Sequence, residues 1–135
     1  MSNYPATDGA LDERVRRALS RGHTIDITTT GRRSGLPRRI ELVFHNIDGR
    51  IVISGLPGRR DWYANLVANP HLTFHLIGPI KADLPATTRP IIEPTERREL
   101  MTAVARNWRR NDLEVMMRHS PLVEVIFDQQ AEPAA

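Results

Sequence analysis

Asp48-Gly49 separates two runs of alternating apolar residues, Arg38 to Asn46 (RRIELVFHN) and Arg50 to Ser54 (RIVIS). An Asp-Gly pair in that position is a strong signal for a tight hairpin, because the favoured two-residue turns need positive φ. The two segments must then lie antiparallel. His23 to Thr30 (HTIDITTT) supplies a third strand of the same kind, β-branched and of period two. Ile25 and Ile27 share one of its faces, and Thr24, Asp26 and Thr28 share the other. Three consecutive strands joined in this way make an antiparallel meander.

The rest of the chain adds strands interrupted by helices. Asp8 to Arg21 places Leu11, Val15, Ala18 and Leu19 on one helical stripe, with Asp8 as N-cap and Gly22 as stop. After the loop GLPGRR (Gly55 to Arg60), Asp61 is positioned to cap a short helix, WYANLVAN, which Asn69-Pro70 ends. His71 to Ile77 alternates again, Gly78-Pro79 breaks it, and an extended stretch runs to about Ile92. Thr95 then caps a helix whose apolar face is Leu100, Ala103, Val104 and Trp108, a helical turn spans Asp112 to Arg118, and PLVEVIF is a final strand. The expected fold is α+β and mainly antiparallel β, with an N-terminal helix, one inserted helix and a C-terminal helical segment. At 135 residues the chain suits a single domain spanning 1–135, with 1–7 and 129–135 frayed at its ends.

Composition removes several function classes. No cysteine is present, so a disulfide framework and a thiolate metal site are both excluded, and a cytoplasmic location is expected. No apolar run approaches the roughly 20 residues of a membrane helix. There is no phosphate-binding Gly-x-x-x-x-Gly-Lys loop, no Gly-x-Gly-x-x-Gly, no His-Glu-x-x-His and no Gly-x-Ser-x-Gly elbow. His71 and His75 fall on one face of a strand but lack a third ligand, so no metal is assigned. A homodimer is compatible with the sequence.

The basic residues are almost all arginine, Lys81 being the single lysine, so their clustering carries more information than the net charge of +3. They cluster in TTTGRRSGLPRR, Thr28 to Arg39. Gly31 and Gly35 allow consecutive N–H groups to converge on an oxyanion, Ser34 adds a hydroxyl, and the guanidinium groups of Arg32, Arg33 and Arg38 add charge suited to phosphate or carboxylate. Arg39 is adjacent, on the opposite face from Arg38. The same loop could serve only for solubility. A nucleic-acid partner is disfavoured, because aromatic residues are 5% of the chain and no recognition motif occurs.

This loop, the hairpin that follows it, Ser54 at the end of the third strand, and Asp61-Trp62-Tyr63-Ala64-Asn65-Leu66 through Asn69-Pro70 together resemble the deazaflavin-dependent nitroreductase family. The resemblance implies a split β-barrel and an enzyme that uses coenzyme F-420, a deazaflavin with a phosphate and an oligoglutamate tail, to deliver hydride to a small electron acceptor. Quinones, nitroaromatics and enones are the acceptor class it implies. Carried over by position, Arg32, Arg33, Ser34, Gly35 and Arg38 match the anion-binding signature, Ser54 matches the strand end near the cofactor, and Trp62 and Asn65 match the helix lining the pocket. The family usually has a lysine-bearing loop after the third strand, where Arg59 or Arg60 stands here. Ser54 and Tyr63 are the candidate partners for an acceptor oxygen. The alternatives are an FMN-binding oxidoreductase of the same fold and a non-catalytic module that binds a cofactor or anion.

Overall fold

The computed structural model describes residues 12–128. Among these, six strands form one closed barrel: β1 (Thr24–Thr30), β2 (Pro37–Ile47), β3 (Arg50–Ser54), β4 (His71–Ile77), β5 (Lys81–Pro90) and β6 (Leu122–Phe127), in the spatial order β1-β2-β3-β6-β5-β4. All pairings are antiparallel. The expected meander is present, with Thr24 opposite Val43 at one end of β1–β2 and Thr30 opposite Pro37 at the other. At the β2–β3 turn Asp48 and Gly49 both have positive φ, 53° and 89°, as the hairpin reading requires. Two pairings between distant segments close the barrel: β4 onto β1, with Ile27 opposite Phe74, and β6 onto β3, with Ile53 opposite Val123.

Alternation decides what fills the barrel. Ile25, Ile27, Phe44, Ile53, Phe74, Leu84, Val123 and Phe127 point inward and are buried, and Phe44, Phe74 and Phe127 stack edge to face at 5.3 and 5.0 Å. Burial of each large side chain contributes about 1.5–3 kcal/mol. Val15 and Leu19 of helix α1 (Glu13–Leu19) and Trp62 and Leu66 of α2 (Asp61–Ala68) join the same core. Gly22 lets the chain leave α1 tightly against β2: a Cβ there would lie 2.3 Å from the Phe44 carbonyl oxygen.

A second apolar layer lies outside the barrel. Val52 and Leu122, on the outer faces of β3 and β6, pack with Leu100, Met101, Val104 and Ala105 of α3 (Pro94–Asn107) and Met116 of α4 (Leu113–His119). The start of α3 is pinned by an ion-pair square in which Arg50 and Arg89 each bond both Glu96 and Glu124 at 2.6–2.9 Å. Hydrogen bonds from Arg89 and Arg50 hold the Glu96 carboxyl down at about 2.

Several boundaries differ from the sequence reading. Helix α1 is capped by Asp12, whose carboxylate accepts from the Arg14 N–H, while Asp8 and Leu11 lie outside the described residues. Asp61 is the first residue of α2 rather than its cap; Arg60 occupies the cap position with no side-chain bond. Glu93, not Thr95, caps α3, accepting from the N–H groups of Thr95 and Glu96 while Pro94 takes the first helical position. Met101 and Ala105 are buried on α3, whereas Ala103 is half-buried. Strand β5 ends at Pro90, and Ile91 turns into the α3 layer.

Candidate functional site

The loop between β1 and β2 is closed by its own backbone. The Gly31 N–H donates to the Leu36 carbonyl and the Gly35 N–H to the Gly31 carbonyl, each at 2.8 Å, and the Leu36 N–H donates to Ser34 Oγ at 3.1 Å. Gly35 has φ 72°, which a side chain would strain. A Cβ on Gly31 would lie 2.6 Å from Ser34 Oγ and 3.3 Å from the Leu36 carbonyl oxygen, so the cradle is as small as it is because that residue is glycine. Among the described residues the N–H groups of Arg33 and Ser34 have no hydrogen-bond partner.

The four arginines of the loop divide into two pairs. Arg32 is tied to α2: its N–H and its Nη1 donate to Asn65 Oδ1 at 3.0 and 2.9 Å, and its Nη2 meets the Asp61 carboxylate at 3.3 Å. Arg39 is tied to Asp26 across the β1–β2 ladder at 2.9 Å. Arg33 and Arg38 have no side-chain partner among the described residues, and both line a cleft of about 550 Å³. The cleft therefore presents two uncompensated guanidinium groups beside two free N–H groups, a donor set for an anion of more than one charge.

Of the residues singled out from sequence, Arg32, Arg33, Ser34, Arg38, Trp62 and Asn65 come together in this cleft, and Arg39, expected on the opposite face from Arg38, lines it too. Gly35 shapes the loop rather than the wall. Trp62 is 8% exposed, so it is both a core residue and part of the cleft lining. Asn65 is buried, and its Nδ2 donates to Thr29 Oγ1 at 3.2 Å; the carboxamide holds the loop to α2.

Ser54 is not brought there. Ile51 and Ile53 face the barrel interior, so period two turns Ser54 to the outside with Val52, beneath α3. Its hydroxyl donates to the Pro121 carbonyl at 2.6 Å. Arg59 and Arg60 also lie elsewhere. They line a second cleft with Tyr63, across the first turn of α2. His75, one of the two aligned histidines, has both ring nitrogens engaged at 2.7 Å, Nδ1 with Asp83 and Nε2 with Thr28 Oγ1. His71 is exposed.

Two members of the site escaped the sequence reading. Thr29 is 2% exposed, and it follows Ile25 and Ile27 on the inward parity, so its burial beside α2 was readable from alternation. Asp61 serves Arg32 as counter-ion, a pairing between segments 29 residues apart that no local pattern encodes.

A family model described as F420H(2)-dependent quinone reductase matches residues 4–126. No curated protein matches the chain. Among solved structures, a conserved hypothetical protein of Mycobacterium tuberculosis superposes with a TM-score of 0.67 at 18% identity, covering 96% of this chain and 91% of that one. A protein described as F420-H2 dependent reductase gives 0.58 at 23%, covering 76% and 92%. A FAD-binding protein of Mesorhizobium loti gives 0.59 at 11%, covering 87% and 90%. These structural likenesses establish a shared fold, the split barrel.

Proposed function

The chain belongs to the F420H(2)-dependent quinone reductase family, and from that premise we propose that the cleft beneath the β1–β2 loop holds the phosphate and tail carboxylates of coenzyme F-420, with a quinone as electron acceptor. The enzyme is thus an oxidoreductase, and nitroaromatics and enones share the flat, electron-poor character of such an acceptor. The observation that carries the assignment is the pair Arg33 and Arg38, unpaired among the described residues beside the free N–H groups of Arg33 and Ser34. The fit is chemical: the donors are charged, number more than one, and surround a cradle that a single added methyl at Gly31 would disturb.

When bound, the reduced cofactor supplies a hydride, and the protein's part is to orient and shield. Arg33 and Arg38 bind the anionic portion through charge-assisted bonds. Arg32 does not act as a ligand in this scheme; bonded to Asn65 and Asp61, it fixes the loop against α2 so that its two neighbours are preorganised. Trp62 closes the cleft floor against water. Tyr63, half-buried in the adjoining cleft, donates its hydroxyl to the acceptor oxygen. Ser54 takes no part, since its hydrogen is given to Pro121.

Titration of the purified chain with oxidised coenzyme F-420 and with FMN tests the reading. Tight binding of the deazaflavin and weaker binding of FMN is expected. Saturable binding of FMN without binding of the deazaflavin overturns it.

A further inference from the structure

The second cleft, of about 1050 Å³, lies between the Gly55–Arg60 loop, Tyr63, the first turn of α3 and the end of α4. Five arginines and one carboxylate line it: Arg59, Arg60, Arg97, Arg98 and Arg118 against Glu114. Arg98 and Glu114 neutralise one another through paired bonds of 2.7 and 3.0 Å. Among the described residues none of the other four makes an ion pair with a carboxylate, although Arg118 lies close enough to Glu114 to feel its charge. Arg97 is half-buried and donates only to main-chain carbonyls, those of Ile91, Met116, Met117 and Ser120. Arg60 likewise donates to the carbonyls of Leu56 and Arg59. Carbonyl oxygens satisfy the N–H groups without cancelling the charge, so the cleft keeps a positive field that its walls focus.

One further observation points to a ligand. Apolar surface is interleaved with the charge: Ile92, 73% exposed, lines the cleft together with Pro57, Pro94 and Met117. Charge and apolar surface in one lining call for a small molecule of matching character, apolar and flat with one acidic substituent.

We propose that this cleft is the acceptor site and that it selects acceptors carrying a carboxylate or sulfonate on the reducible ring, held by Arg118 with the carbonyl-bonded arginines behind it. The proposal rests on the reading of the first cleft as the cofactor's anion site. It assigns separate anions to the two clefts, which share only the first turn of α2 as a wall.

Equilibrium binding to the cofactor-free chain tests it, with 1,4-naphthoquinone-2-sulfonate and the uncharged 2-methyl-1,4-naphthoquinone as probes. The absence of cysteine removes the usual thiol addition to quinones. The sulfonate is expected to bind at least about tenfold more tightly, the scale of one charge-assisted bond. Arg118→Ala, at an exposed side chain with no hydrogen bond or ion pair among the described residues, should abolish most of that preference while leaving the affinity for the uncharged quinone within about twofold. Glu114→Gln, which removes the single carboxylate, should move the sulfonate's affinity the opposite way, tightening it. Circular dichroism confirms that both variants fold. Equal affinity for the two quinones, or Arg118→Ala weakening coenzyme F-420 instead of the sulfonate, overturns the proposal, the latter by giving this cleft to the cofactor. Failure of the unmodified chain to bind coenzyme F-420 overturns the first-cleft reading alone, because the quinone titrations contain no cofactor.

Discussion

The side-chain oxygen of Asn65 accepts two hydrogen bonds from Arg32, one from the backbone N–H at 3.0 Å and one from Nη1 at 2.9 Å. The basic loop and helix α2 are thereby a single rigid unit, although 33 residues separate them in sequence. Asn65→Ala should lower stability by about 2 kcal/mol, as expected when two bonds from one arginine are lost at a buried site. It should also weaken coenzyme F-420 by about tenfold without removing a ligand contact. Asn65→Asp keeps the acceptor oxygens and should recover most of the affinity. Denaturant unfolding and cofactor titration of both variants check this; if Asn65→Ala binds normally, the unit is not what positions the cleft.

Arg33→Ala and Arg38→Ala should each weaken coenzyme F-420 by about tenfold or more, since charge-assisted bonds contribute about 1.5–3 kcal/mol. Neither should change the unfolding midpoint, because neither side chain has a partner within the described residues. Arg39→Ala alters the same cleft, but its charge is already matched by Asp26, so it should weaken the cofactor less than either of the other two and change stability little.

Ser54→Ala should behave as a structural change. The hydroxyl bonds the Pro121 carbonyl under α3, so its loss should cost about 1 kcal/mol of stability. Steady-state reduction of a quinone by the variant should keep its kcat. A fall in kcat of tenfold or more with unchanged stability would return Ser54 to the reaction centre.

His45 makes stability depend on pH. Burial pushes its imidazole from 6.5 down to about 4, beside Trp108 at 5.0 Å and with Asn107 on Nδ1. The unfolded chain therefore takes up a proton that the folded chain refuses between those values, and stability is full above about 6.5 and falls as the pH drops toward 4. The carboxylates held low, Glu96 among them, begin to take up protons in the unfolded chain about one unit above 4.5, so the interval from 6.5 to about 5.5 isolates the histidine from them. Urea midpoints measured across that interval should slope for the parent protein and flatten in His45→Gln.

Gly22→Ala tests the packing of α1. The new methyl would meet the Phe44 carbonyl oxygen at 2.3 Å, backbone that cannot rotate away. A loss of about 2–3 kcal/mol is expected by thermal or denaturant unfolding, against a few tenths for Gly78→Ala, where nothing lies within 4 Å.

The local signals were legible because they are written in neighbouring residues. Asp48-Gly49 announced the β2–β3 turn, alternation assigned Ile25, Ile27 and Phe44 to one interior, and the glycines around Arg32 and Arg33 marked the cradle. Where the structure groups residues differently from the sequence reading, the cause is that a side chain's partner lies far away in sequence. Arg32 reads as an anion ligand until Asp61 and Asn65 arrive from α2, and Arg59 and Arg60 read as extensions of the same site until α2 divides the clefts. Ser54 is the exception. Its outward direction followed from Ile51 and Ile53, and the positional match to a known pattern outweighed a parity that was already visible.

Because the barrel closes through β6 on both sides, β3 and β5 keep open hydrogen-bonding edges until Leu122–Phe127 has been synthesised. Such edges are templates for pairing with other chains. Chains ending before Leu122 should therefore aggregate rather than accumulate as a smaller folded form, even though every residue that lines the arginine cleft is already present by Asn65.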